Sequence, residues 1–267
     1  YYRHVTAFSE GVAWAYRDSA WHAVDITGKE LFTLDKDLSI NKNSSTFDFH
    51  EGLAKVINTE TKKYGFIDET GKVVIPIEHS DYGAGAEPFH DGLALVYDPA
   101  NAYYGYMDKT GKMVIPYQYA NAASFKNGVA RVKLGDRWTV IDTTGKDLLP
   151  QAYSAGTTST EEHISSEAIL VLGSNGLWGF ANRAGQIVSE GYIGIQPFSN
   201  GMACVCKQEG GYGYVNEAGV LVIPCQYKSA EDFRDGYARV KTGDAYSIID
   251  KTGTVTGTIG DYAYAHN

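Results

Sequence analysis

Apolar and polar residues alternate with a period of two over short runs, and these runs recur in nearly the same words down the chain. The phrase reads FSEGVAWA around Gly11, FHEGLAKV around Gly52, FHDGLALV around Gly92, FKNGVARV around Gly128, FSNGMACV around Gly201 and FRDGYARV around Gly236. Alternation over four to eight residues is the mark of a half-buried strand. Ala54 and Val56 share one face, as do Ala94 and Val96, Ala130 and Val132, Ala203 and Val205, and Ala238 and Val240. That small apolar face predicts packing against a neighbouring sheet. The other face changes from copy to copy (Trp14, Lys55, Leu95, Arg131, Cys204, Arg239), which predicts a row turned to solvent or ligand.

A second strand follows, opening on an aromatic residue (Tyr64, Tyr104, Trp138, Trp178, Tyr212) that glycine often succeeds (Gly65, Gly105, Gly179, Gly213). Glycine inside a strand marks a close approach, and the expected visitor is an aromatic ring of the adjacent repeat. Each second strand ends in an Asx-x-x-Gly tetrad, bounded by Asp25 and Gly28, Asp68 and Gly71, Asp108 and Gly111, Asp142 and Gly145, Asn182 and Gly185, Asn216 and Gly219, and Asp250 and Gly253. A short acceptor side chain opens a turn and glycine closes it at positive φ, so these acids read as structural turn residues. A third apolar strand such as KVVIP then runs to a proline expected to end it. The linkers YQYANAASF and QYKSAEDF place Tyr119, Ala122 and Phe125, and Tyr227, Ala230 and Phe233, three apart, which suits a tight helical turn or an irregular edge segment. Tyr2, Val5 and Phe8 fall in the same register.

Seven such units in 267 residues give a period of about 38 residues, within the range of repeat architectures. The approximate repeats are 1–40, 41–80, 81–118, 119–152, 153–191, 192–226 and 227–267, all in one domain, 1–267. Three strands and a fourth possible segment per unit suggest an all-β fold of seven antiparallel meanders. Unit size and count favour a seven-bladed β-propeller; an open β-solenoid array is the alternative. The first and last copies are no more polar than the middle ones, which leans towards closure.

Composition narrows the chemistry. Thirty glycines and twenty tyrosines suit short strands and tight turns. A net charge of −9 disfavours nucleic acid, whose phosphates call for a basic stripe. No apolar run reaches the ~20 residues of a membrane span. Cys204, Cys206 and Cys225 lie in one copy without a Cys-x-x-Cys pair and read as free thiols; none of the seven histidines forms a metal-type pair. The expectation is therefore no metal, no cofactor and no catalytic centre. The chain opens on Tyr1, which fits a processed exported product and a trimmed chain equally; a cell-envelope or secreted setting is the expectation carried forward.

The phrases F-S-E-G-x-A, W/Y-G-F-I-D-x-x-G-K and V-I-P resemble the bacterial WG repeat, also called KWG. The name-giving pair survives literally only at Trp178 and Gly179, and the copy within 151–177 has lost its first phrase. The resemblance covers nearly the whole chain and implies a scaffold, with no catalytic residues to carry over. The expected function is a non-catalytic module, a monomer that binds a protein or peptide through its repeat-built surface. Glycan or cell-wall binding is the alternative, and a propeller-type hydrolase, which needs two carboxylates about 5–10 Å apart in a cleft, the less favoured one. Binding residues are sought on the varying row and at departures from the repeat: Trp14, Tyr16, Tyr82, Leu95, Tyr97, Arg131 and Arg239. The departures are the insertions 34–48 and 78–88 and the acidic fifth unit with Glu161, Glu162 and His163.

Overall fold

The computed structural model describes residues 1–80, 85–155 and 167–259. The described residues form seven antiparallel sheets, six of four strands and one of three, and within each sheet every strand pairs with its neighbour in the chain. In the second sheet the order is Leu38–Ser39, Leu53–Asn58, Lys63–Asp68, Val73–Ser80. This four-stranded meander is the blade unit of a propeller. The fourth sheet stops at three strands, Asn121–Ala122, Val129–Leu134 and Arg137–Asp142, and its outermost segment is reduced to a single bridge between Ile141 and Asp147. By contact the chain divides into two compact units, Tyr1–Asp136 with Val140–Asp147, and Arg137–Thr139 with Leu148–Asn267. Each unit is built from the same meander.

Both faces of the central strands are covered. The Ala-x-Val face is buried in every clear copy: Ala54, Val56, Ala94 and Ala203 are between 0% and 1% exposed. The opposite face departs from its expected exposure. Trp14, Lys55, Leu95 and Cys204 are all buried; Trp14, Leu95 and Cys204 pack against the following sheet. Leu93, Leu95, Tyr106 and Ile115 of the third sheet meet Phe125, Ala130, Val132 and Ile141 of the fourth. Met202, Cys204, Tyr214 and Ile223 meet Phe233, Ala238, Val240 and Ile249 in the same way. Lys55 is accommodated with its ammonium over the Phe47 and Tyr64 rings, at 5.1 and 4.8 Å, where a buried cation gains from the negative ring faces. Only the seventh sheet keeps this face open among the described residues, with Tyr237 51% exposed and Arg239 exposed.

Successive sheets are also joined by hydrogen bonds from buried aromatics to the next linker. Trp14 Nε1 donates to the Phe47 carbonyl at 2.9 Å, the Tyr106 hydroxyl to Ala123 at 2.7 Å and the Tyr214 hydroxyl to Glu231 at 2.6 Å. A buried phenol or indole needs such a partner.

Two kinds of turn alternate. At the Asx tetrads each glycine N–H donates to the Asx carbonyl at 2.8–2.9 Å in all seven copies. Asp25 Oδ1 also accepts from the Thr27 amide (2.8 Å), the Thr27 hydroxyl (2.6 Å) and the Lys29 amide (3.0 Å). The Thr hydroxyl is the main cause that holds Asp25, Asp68, Asp108 and Asp250 below the usual aspartate pKa. Carboxylates with depressed pKa add stability above their unfolded pKa of about 3.9, and that stability is lost as pH falls through the lower, folded value. Changing these four aspartates together to asparagine, as nature has at Asn182 and Asn216, should flatten the loss of thermal stability below about pH 4. An unchanged pH dependence in thermal melts would contradict this.

The other turn lies in the F-x-x-G phrase. The residue before glycine is left-handed, with φ between 50° and 54° in Glu10, Glu51, Asp91, Asn127, Asn200 and Asp235, and the glycine follows at 79–85°. Two consecutive positive φ values make a type I′ hairpin. Its side chain caps the same turn one repeat on. Glu10 accepts from the Glu51 and Gly52 amides (2.7 and 2.8 Å), Glu51 from Gly92, Asp91 from Gly128 (2.8 Å) and Asn200 from Gly236 (2.9 Å).

Three local expectations are corrected. The visitor at Gly65, Gly105, Gly179 and Gly213 is the main chain of the fourth strand of the same sheet, carried over the glycine by a register shift, rather than a neighbouring ring. The V-I-P prolines lie inside their strands: Val73–Ser80, Met113–Tyr119 and Leu221–Tyr227 run through Pro76, Pro116 and Pro224. These are edge strands, where a missing N–H faces outward and also blunts edge-to-edge association. Of the two readings of the linkers, the helical turn fails and the edge segment holds: they open the next sheet as two-residue edge strands, Asn121–Ala122 and Ser229–Ala230.

Candidate functional site

The insertion at 34–48 gives the first unit a surface found in no other described copy. It runs through the edge strand Leu38–Ser39 and a 3-10 turn, Ser45–Phe47, that Ser44 caps through its hydroxyl. Phe47 and Phe49 turn inward onto Trp14, with the Phe49 ring stacked at 5.6 Å, and the Trp14 indole holds the Phe47 carbonyl. The outer part of the insertion then stands between two clefts that share Ser39, Ile40 and Asn41. One, of about 540 Å³, is bounded by Ile57, Thr59, Lys62 and Lys63. The other, of about 460 Å³, is bounded by His4, Tyr16, Trp21 and Lys42.

Tyr16 pairs directly across the hairpin with Trp21, ring centroids 5.0 Å apart, and with His4 on its other side at 6.4 Å. The same cross-strand slot recurs as Ile57 with Tyr64, Tyr97 with Tyr104, Cys206 with Tyr212 and Lys241 with Tyr246. The repeat aromatic therefore stands beside a variable partner, and in the first copy that partner faces a cleft.

The sequence candidates do not converge. Trp14 and Leu95 are core residues, 1% and 6% exposed, so they do not line a solvent-facing row. Tyr16 is half-buried at the second cleft. Tyr97 is half-buried against Tyr104 at 5.0 Å. Arg131 is half-buried, and desolvation lowers its guanidinium from the usual arginine value. Arg239 is exposed, ion-paired with Glu231 and laid over Tyr246 at 5.2 Å; it borders a polar cleft of about 620 Å³ in the second unit with Tyr212, Asp232 and Arg234. Tyr82, Glu161, Glu162 and His163 lie outside the described residues.

Two features escaped the sequence. Trp14 acts as the anchor of the insertion, which only its pairing with Phe47, thirty-three residues on, reveals. The acid-to-amide chain of the F-x-x-G turns was visible in principle, as an Asp, Glu or Asn before glycine in every clear copy. The three cysteines are free, and burial pushes the Cys204 thiol up to about 12, which keeps it protonated and unreactive. Among the described residues no group of three His, Cys, Asp or Glu is placed to hold a metal ion, and no helix is long and apolar enough to cross a membrane.

Sheets of one meander, stacked face to face and joined turn to turn, define a β-repeat protein. The profile of the WG-containing repeat matches residues 64–97, 104–138, 178–210 and 212–246, about half the chain. The chain belongs to the WG-repeat family. No curated protein matches it. Among solved structures it resembles the computationally designed protein Ika8 (15% identity, 96% of this chain and 86% of that one, TM-score 0.43). It also resembles BamB from Moraxella catarrhalis (14%, 98% and 84%, 0.38) and the C-terminal WD40 domain of Sif2 (10%, 91% and 78%, 0.36).

Proposed function

We propose that this chain is a non-catalytic binding module that holds a peptide segment of a partner protein in the clefts flanking 39–41. The observation that carries the reading is that the one insertion pinned into the core by Trp14 presents paired clefts beside an open sheet edge. Such clefts can seat side chains of an extended peptide laid along the edge. Engagement of the Asx side chains by their own turns supports a structural role for those acids over a catalytic one. The half-buried Tyr16 beside Trp21 also favours a second reading, stacking on a sugar ring.

A peptide array and a cell-wall glycan array, probed with the intact chain and with Ser39→Trp, test both. Peptide binding that the tryptophan blocks is the expected result. Binding confined to glycans would favour the second reading, and cleavage of a bound peptide would overturn the non-catalytic one.

A further inference from the structure

The whole chain carries a net charge of −9, yet the two clefts show the opposite sign. Their described walls hold Lys42, Lys62 and Lys63 with His4, and no carboxylate. All three lysines are exposed. The Lys62 ammonium donates to the Thr59 carbonyl at 2.6 Å and has two further N–H groups; Lys42 stands 3.4 Å from the His4 ring nitrogen Nε2. Of the acids beside these walls, Asp37 accepts from the Asn58 side-chain amide at 3.0 Å, and Glu60 is exposed between Thr59 and Thr61. Under the lysines the floor is aliphatic, with Ile40 7% exposed and Ile57 half-buried. Leu38–Ser39 pairs on one side only, with Asn58 and Ile57; on the other side the Leu38 amide donates to the Asp35 carbonyl at 2.9 Å, so side chains and not main-chain groups are what the clefts offer.

We infer that the clefts take an extended acidic peptide bearing an aliphatic side chain, and this rests on the binding-module reading above. Carboxylates meet Lys42, Lys62 and Lys63, and the aliphatic group lies on Ile40 and Ile57. A peptide fits better than a uniformly charged polymer because the floor between the cations is apolar. In an acidic protein such a patch also steers an acidic ligand to one place, since the surrounding surface repels it.

The probe is a fluorescein-labelled peptide of alternating glutamate and leucine, with glutamine–leucine and lysine–leucine analogues, followed by fluorescence anisotropy on the intact chain. The acidic peptide should bind, and its affinity should drop about tenfold or more between roughly 50 and 500 mM salt. The double variant K62E/K63E should weaken it about tenfold or more, while Lys112→Glu, at an Asx turn, leaves it unchanged. Thermal melts establish that both variants are folded.

Equal or tighter binding of the neutral or basic analogue overturns the inference while leaving the module reading standing. So does preference for a polyuronate or an oligonucleotide over the acidic peptide. Failure of every peptide, here and on the array, overturns the module reading itself.

Discussion

Trp14→Ala should lower stability by about 3–5 kcal/mol, the range for deleting a large buried aromatic. The ring is 1% exposed and touches Phe49 face to face and Phe32 edge to face. Its removal opens a cavity between the first and second sheets and also leaves the Phe47 carbonyl without its donor. Trp14→Phe keeps most of the packing and loses the hydrogen bond, so its cost should be nearer about 1 kcal/mol. Urea unfolding of the three proteins measures both. The alanine variant should also lose cleft binding at temperatures where it remains folded, because the Ser45–Phe47 turn is no longer tied down. A loss below about 1 kcal/mol for Trp14→Ala would refute the anchoring role.

The second large effect is expected at Gly65. Its φ is ordinary, so the objection to a side chain there is space alone. A β-carbon would stand 2.5 Å from the Ile75 carbonyl oxygen and 2.9 Å from the Ile77 α-carbon, both main-chain atoms that can yield only by breaking the bulge. Gly65→Ala should therefore cost about 3 kcal/mol, at the upper end of overpacking effects. Gly52 is the contrasting case, with nothing within 4 Å of its β-carbon but a φ of +81°. Gly52→Ala should cost about 1 kcal/mol, the conformational penalty alone. Thermal melts that reverse this order would show that the bulge is softer than its geometry implies.

The meander itself was legible because its signals are local. Alternation in GLAKV and YGFID requires only the pleat, and the Asx–Gly corner requires only the conformational map and one acceptor side chain. What was not legible depended on the neighbouring sheet. Differences among Trp14, Lys55, Leu95 and Cys204 suggested exposure, yet Trp14, Leu95 and Cys204 each meet a different partner in the next sheet and Lys55 lies over the Phe47 and Tyr64 rings, so size varies while burial does not. Pro76 read as a stop because the strand's edge position, which makes a missing amide harmless, is a tertiary fact. For the site, the break in the period at 34–48 was visible in the sequence, and the proposed clefts stand on that segment. The role of Trp14 in holding that segment, and the gathering of Lys42 with Lys62 and Lys63 around it, came only from the fold.

The relay from Glu10 to Glu51 to Gly92 bears on how such a chain can grow. A module that keeps this turn arrives with one side-chain acceptor and one needy amide, so inserting or deleting such a module whole leaves the count of satisfied groups unchanged. A partial deletion strands one of each. Lineages carrying this motif should therefore differ by whole modules, their breakpoints falling at equivalent places in the period, and should tolerate wide variation in number without redesign of any single copy.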